Sequence, residues 1–214
     1  MLLTINGYSV NQGTGMKEQR RHQRVRFGII QPLVRLGQRG SNGIGRLENL
    51  SLGGFMIRTD IPLKVGEVFG CEFSVFGSPL VDMSAVIVSR VGDRYSARFQ
   101  AGPISELLIK DIILRALASG NATILSINEI SGRRVMRVAG GLDGSLRSDF
   151  IHGLSKVGVD EIDLSDVTAI NSDGLELCRL ARDNYRVSIV RPSVCVQQQI
   201  DEVEENQRAL PKAS

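Results

Sequence analysis

From Val25 to Gln100 the chain is a series of short apolar runs cut by glycine, proline and polar turn residues, and this punctuation restricts its first half to short β-strands. The runs are Val25–Leu36, Gly43–Ile61, Glu67–Phe76, Val81–Val91 and Tyr95–Gln100, separated by Gly37–Gly45, Pro62–Gly66, Gly77–Pro79 and Gly92–Asp93. Alternation is clearest in the last, where Tyr95, Ala97 and Phe99 oppose Ser96, Arg98 and Gln100, the two-residue period of a half-buried strand. Short strands at regular spacing predict an antiparallel barrel or sandwich. The period then changes: Leu107, Leu108, Ile112, Leu114 and Leu117 recur at helical spacing across Ser105–Leu117, with Ser105 as the expected N-cap and Gly120 beyond the end.

Beyond Gly120–Asn121 strands alternate with helices. Ala122–Ile127 and Arg134–Ala139 read as a strand pair joined through Ser131–Gly132, followed by a helix over Ser145–Val157 and a strand over Glu161–Leu164. A helix over Asp173–Asn184, a strand over Val187–Val190 and a helix over Val194–Glu204 complete the series, a pattern that predicts parallel pairing through crossovers. The expectation is therefore two domains: an N-terminal all-β antiparallel barrel with a closing helix, and a C-terminal α/β layer. The divisions are a loose leader over 1–15, the barrel over 16–119, the α/β domain over 120–205 and a tail over 206–214.

Composition narrows the function classes. The formal net charge of +3 is small, but the segment from Lys17 to Arg46 is strongly basic while Asp201–Glu205 is acidic, which points to a local anion site near the front. Three cysteines without CxxC spacing imply neither a disulfide framework nor a zinc site and fit a reducing, cytoplasmic compartment. No run approaches the ~20 apolar residues of a membrane span. No nucleophile–base pair, metal set or GxxxxGK[ST] loop is present, and His152 has no partner at ligand or triad spacing, so neither enzyme nor resident cofactor or metal is expected. Aromatics at 5% offer few platforms for stacking nucleic acid, which is not expected as a partner either.

Two constellations carry chemistry in the first half. Arg20 and Arg24 lie four apart within QRRHQRVRF, with Arg21 and Arg26 in the same segment. That spacing brings both side chains to one face of a helix or a strand. Their planar forks suit phosphate oxygens and stack on bases, and a solvated basic arm is the plainer alternative. Asn49, Ser51 and Gly54 form N-x-S-x-x-G ahead of an apolar strand. Asn and Ser are short enough to read a base edge and glycine admits a close backbone approach; these residues also suit an ordinary turn.

Taken together, RxxxR at Arg20 and Arg24 followed by (D/N)xSxxG at Asn49–Gly54 closely resembles the PilZ family, over roughly Lys17 to Ala118, with RYSARFQ and the following helix resembling its last strand and closing helix. The resemblance implies a bacterial cyclic di-GMP receptor. On it, Arg20 and Arg24 grip the phosphates and stack on guanines, Arg21 supports them, Asn49 and Ser51 hydrogen-bond a guanine, and Gly54 permits the turn. It further implies arginines on a flexible leader that clamp onto the barrel when the ligand arrives, and leaves open whether one ligand or a stacked pair binds.

From Thr123 to Val203 the element order resembles the STAS family, which includes anti-sigma-factor antagonists, on the marks VMRVAGGLDG, VDEIDLSDVTAINSDGL and VSIVRPSVCVQQQI. The resemblance implies that Ser172 stands where signalling members are phosphorylated and that Asp143 matches an acidic residue of the family. Asn171 replaces the usual aspartate, Asp173 the second hydroxyl residue and Glu176 a small residue. A capping role for Ser172 or Asn171, with Asp173 and Glu176 resembling a capping box, is the alternative. Asp143, Asn171 and Asp173 mark the expected contact face for a protein partner, a kinase or an anti-sigma-like regulator. The whole then reads as a signalling protein whose barrel senses cyclic di-GMP and whose α/β domain relays the change. The competing reading is an anti-sigma-antagonist-type interaction module with a ligand-free barrel.

Overall fold

A computed structural model of the chain describes residues 22–38, 41–100 and 102–209. Contacts divide the chain into two compact units, with the division between Ala122 and Thr123.

The first unit carries seven strands: β1 (Val25–Phe27), β2 (Leu33–Gln38), β3 (Ser41–Ser51), β4 (Gly54–Arg58), β5 (Val68–Phe73), β6 (Val81–Val91) and β7 (Arg94–Phe99). Strands β3-β2-β5-β6-β7-β4 follow one another in antiparallel pairing, and a β3–β4 pairing closes them into a six-stranded barrel; β1 pairs with β3 in addition. Closure removes the open edges that a sheet of this length would leave. The alternation read in Tyr95–Phe99 holds, with Tyr95, Ala97 and Phe99 buried. Phe55 centres the core, its ring 4.9 Å from that of Phe99 and 6.0 Å from that of Phe73.

Two of the apolar runs each contain two strands. The run Val25–Leu36 divides into β1 and β2 around Pro32, which cannot donate a ladder hydrogen bond. The run Gly43–Ile61 folds back on itself at Leu52–Gly53, between β3 and β4. Helix α1 (Pro103–Ala118) packs against β3 and β6. Its start corrects the expected Ser105 cap: Gly102 is the N-cap, without a side-chain cap, and Pro103 opens the helix with a backbone angle already suited to the first turn. The buried stripe is Ile109, Ile112, Ile113, Ala116 and Leu117, whereas Leu107 is 67% exposed.

In the second unit β8 (Ala122–Ile130) and β9 (Arg133–Leu142) form a hairpin through Ser131 and Gly132, both at positive φ (52° and 78°), as a two-residue hairpin turn requires. Strands β10 (Glu161–Ile170) and β11 (Ser188–Val190) add in parallel, giving the order β11-β10-β9-β8. Strand β10 runs past the expected Leu164 to Ile170 because two register shifts against β9 absorb the polar Ser165–Asp166 step. The segment expected as one helix over Ser145–Val157 is a 3₁₀ turn (Gly144–Leu146), then α2 (Arg147–His152), then a π-type turn (Gly153–Val157) closed by Gly158 at φ 71°. Helices α3 (Ser172–Tyr185) and α4 (Val194–Ala209) complete the unit. Met136 and Val138 of β9, Ile162 and Leu164 of β10, Phe150 of α2 and Leu177 of α3 share one core. On the opposite face of the sheet Asp163 is fully buried. Its Oδ2 accepts from Arg137 Nε at 2.9 Å and Arg191 at 2.6 Å, and its Oδ1 accepts the Ser165 N–H at 3.1 Å. Burial alone would push this carboxyl up, but the Ser165 hydrogen bonds and the Arg137 guanidinium outweigh it and hold the group below the ordinary carboxylate range.

Candidate ligand-binding site

Strand register builds a polar surface on the outside of the barrel. Val25 and Phe27 of β1 and Leu50 of β3 are buried, so the residues alternating with them face outward. Arg26 is the cross-strand partner of Asn49, Asn49 of Met56, and Met56 of Ser96. One step along, Ser51 partners Gly54 and Gly54 partners Arg98, and continuing the β1 register by one residue sets Arg24 opposite Ser51. Four strands thus contribute two adjacent rows, Arg26–Asn49–Met56–Ser96 and Arg24–Ser51–Gly54–Arg98.

Each motif residue in these rows has a local reason to be where it is. Ser51 Oγ donates to the Gly54 carbonyl oxygen at 3.0 Å, tying the turn across Leu52–Gly53 and leaving the hydroxyl oxygen able to accept. Gly54 opens β4 at φ 159°, where an added Cβ would overlap the Ala97 carbonyl oxygen and come within 3.0 Å of Arg98 Cα. Its role is a close approach of β4 to β7; the turn itself is made by Leu52 and Gly53, which refines the expectation from sequence. His22 lies over that turn, its Cδ2 3.1 Å from where a Cβ on Gly53 would stand, so the chain entering β1 passes beside the Asn49–Gly54 motif.

Asn49 stands out energetically. It is 7% exposed, and its Oδ1 is buried without a hydrogen-bond partner among the described residues. An unmet buried acceptor costs about 1–3 kcal/mol, so a stable fold keeps one where something else satisfies it. Oδ1 can accept only from an N–H or O–H donor.

The surroundings are cationic. Beside the two rows Arg46, Arg58 and Arg94 are cross-strand partners, and Glu48 draws Arg58 and Arg94 together at 2.8 and 3.1 Å. The structure therefore brings Arg24, Asn49, Ser51 and Gly54 to one surface, whereas Arg20 and Arg21 lie outside the described residues. Sequence reasoning missed Met56, Ser96 and Arg98; the alternation in Tyr95–Gln100 marked the last two as outward, but only register shows which strand they stand beside.

In the second unit Asp143, Asn171, Ser172 and Asp173 gather at one end of the sheet. Asn171 Oδ1 caps α3 by accepting the Gly174 N–H at 3.0 Å, and Asp143 Oδ1 accepts the Ser145 N–H at 2.8 Å. The Asn171 N–H donates to the Leu142 carbonyl at 3.4 Å, and Asp173 lies against Gly144. Ser172 is exposed at the first position of α3. Asn171 is thus the cap and Ser172 is not, and the expected capping box is absent: Glu176 pairs with Arg147 at 3.3 Å.

Neither buried thiol is a ready nucleophile, since burial pushes Cys71 up to about 12 and Cys178 up to about 11. Among the described residues no group of three or more His, Cys, Asp or Glu could hold a metal ion, and no helix is long and apolar enough to cross a membrane.

A family model described as "PilZ domain" matches residues 18–118. Among solved structures, the PilZ domain of Escherichia coli YcgR with c-di-GMP is 24% identical, covering 46% of this chain and 91% of its own, with a TM-score of 0.42. The MrkH–c-di-GMP complex of K. pneumonia is 16% identical, covering 46% and 51%, with a TM-score of 0.41. The Bacillus subtilis inhibitor of motility MotI/DgrA is 15% identical, covering 47% and 52%, with a TM-score of 0.38. The last two are thus spanned for only about half their length. No curated protein matches the chain. The family match identifies residues 18–118 as a PilZ domain.

Proposed function

We propose that the chain is a cyclic di-GMP receptor and that the ligand lies across the outward rows of β1, β3, β4 and β7. The single observation that carries this reading is the buried Oδ1 of Asn49, without a hydrogen-bond partner among the described residues and one row from Arg24 on an outer barrel wall. The match to a PilZ domain and the RxxxR and (D/N)xSxxG spacing support it.

The chemistry fits. A guanine edge presents ring and amino N–H donors, which an Asn carbonyl and a Ser hydroxyl oxygen accept. The phosphodiesters take the forked donors of Arg20 and Arg24, with Arg21 in support, and the guanidinium planes stack on the bases. Gly54 leaves the floor bare between Ser51 and Arg98. Each charge-assisted contact contributes about 1.5–3 kcal/mol.

The α/β unit, on this reading a STAS-like module, passes the change to a protein partner, a kinase or an anti-sigma-like regulator. The corner of Asp143, Asn171, Ser172 and Asp173 is its contact face. A phosphate on Ser172 would gain from the α3 N-terminus and lose to the neighbouring Asp173 carboxylate.

Calorimetric titration with cyclic di-GMP tests the receptor reading. The wild type binds saturably, and Arg20→Ala and Arg24→Ala each lose about tenfold or more in affinity. Equal affinity in wild type and both variants rejects the site assignment, and no binding by the wild type rejects the function.

A further inference from the structure

The two sequence motifs account for one side of the proposed ligand surface. The other side is set by β7, where Arg98 stands directly across from Gly54. Its neighbours Ala97 and Phe99 are buried at 4% and 8% exposure, so the pleat turns Arg98 outward, onto the face that carries Ser51 and Asn49. The missing side chain at Gly54 leaves only backbone between Ser51 and Arg98, and the approach is close, with Arg98 Cα 3.0 Å from where a Cβ on Gly54 would stand.

The charge state of this wall separates Arg98 from its neighbours. Arg58 and Arg94, on the same two strands, share the Glu48 carboxylate. Among the described residues no carboxylate pairs with Arg98, so its charge is available to a ligand.

Resting on the reading above, we infer that Arg98 is a further ligand-binding residue and grips a phosphodiester of cyclic di-GMP from the side opposite Arg24. Strands spaced about 4.8 Å apart put β1 and β7 about 14 Å apart across β3 and β4. Two arginine side chains leaning inward over the bare Ser51–Gly54 step reach across most of that span. A cyclic dinucleotide carries its two phosphodiesters on opposite sides of one macrocycle, so cations on both flanks match its charge distribution better than a cluster on one. The inference adds a determinant of ligand class: a ligand with one phosphate uses one flank only.

Calorimetry on the full chain tests this with wild type, Arg98→Ala, Arg98→Lys and, as control, Arg35→Ala, an exposed arginine on β2 paired with Glu72 on another wall of the barrel. Arg98→Ala is expected to lose about tenfold or more in affinity for cyclic di-GMP. Arg98→Lys, which keeps the charge without the fork, should lose less, and Arg35→Ala should bind as wild type. Arg98→Ala should also show a shallower dependence of affinity on salt, while Arg98→Lys keeps the wild-type slope, and both should have an unchanged urea midpoint, since an exposed side chain is being trimmed. Wild-type affinity in Arg98→Ala overturns this inference while leaving the receptor reading intact. Failure of the wild type to bind overturns both.

Discussion

Replacing Asn49 with leucine is expected to strengthen the fold and weaken ligand binding at once. Asn49 is 7% exposed between Arg26 on β1 and Met56 on β4, and its Oδ1 has no hydrogen-bond partner among the described residues. Without ligand the fold therefore carries the desolvation cost of a free carbonyl, about 1–3 kcal/mol. Leucine has the same branched outline and no polar atom, so it removes that cost, and crowding by its larger methyl groups returns up to about 1.5 kcal/mol. The expected net gain is about 1 kcal/mol, a rise of roughly 0.5 M in urea midpoint at an m-value of about 2 kcal/mol/M. Urea unfolding followed by circular dichroism reads the gain, and calorimetry with cyclic di-GMP reads the loss, about tenfold or more in affinity. A midpoint lowered by 0.5 M or more would show that Asn49 is a structural partner whose acceptor is met. Wild-type affinity in the leucine variant would show that the carbonyl reads no base. Either result refutes the reasoning.

Gly54→Ala should destabilise the barrel by about 1–3 kcal/mol, because the new methyl group overlaps the Ala97 carbonyl oxygen; a urea midpoint equal to wild type would contradict the close approach of β4 to β7. The depressed Asp163 carboxyl gives a signed pH dependence: its contribution is complete above the ordinary unfolded value near 4 and is lost as pH falls through the lower folded value, so stability should decline below about pH 4. Asp163→Asn, which leaves Arg137 and Arg191 without their shared carboxylate, should cost about 1–3 kcal/mol at neutral pH and flatten part of that acid decline, both measured by urea midpoints across pH. Burial pushes Cys71 up to about 12 and Cys178 up to about 11, so a thiol reagent at pH 7.5 should label both only at the rate of unfolding. Labelling of Cys71 within seconds in folded protein would contradict its placement in the barrel.

Much of the architecture is legible in the sequence because each half obeys one period. Tyr95, Ala97 and Phe99 announce a half-buried strand, and Ser131–Gly132 announces a hairpin. What single-period reasoning misses is punctuation inside a run. Pro32 divides one apparent strand, and the bulges after Asp163 carry β10 through residues whose polarity looked like its end. The start of α1 is hidden in the sequence because Ser105 is a good cap by type, whereas Pro103, with its fixed backbone angle, already sits in the first turn. Of the site, Asn49, Ser51 and Gly54 are visible as a spaced motif, but Gly54's neighbour Ala97 is more than forty positions away. Only the β4–β7 register joins them, and the same register brings in Arg98. Sequence leaves the cap at α3 between Ser172 and Asn171 because both residue types serve, and the Asn171–Gly174 hydrogen bond decides it.

The most direct test is a crystal structure of the full chain with cyclic di-GMP. The account predicts a guanine edge within hydrogen-bond distance of Asn49 Oδ1 and the macrocycle across the Ser51–Gly54 step. A dinucleotide bound elsewhere, with Asn49 Oδ1 still unpartnered, would contradict it.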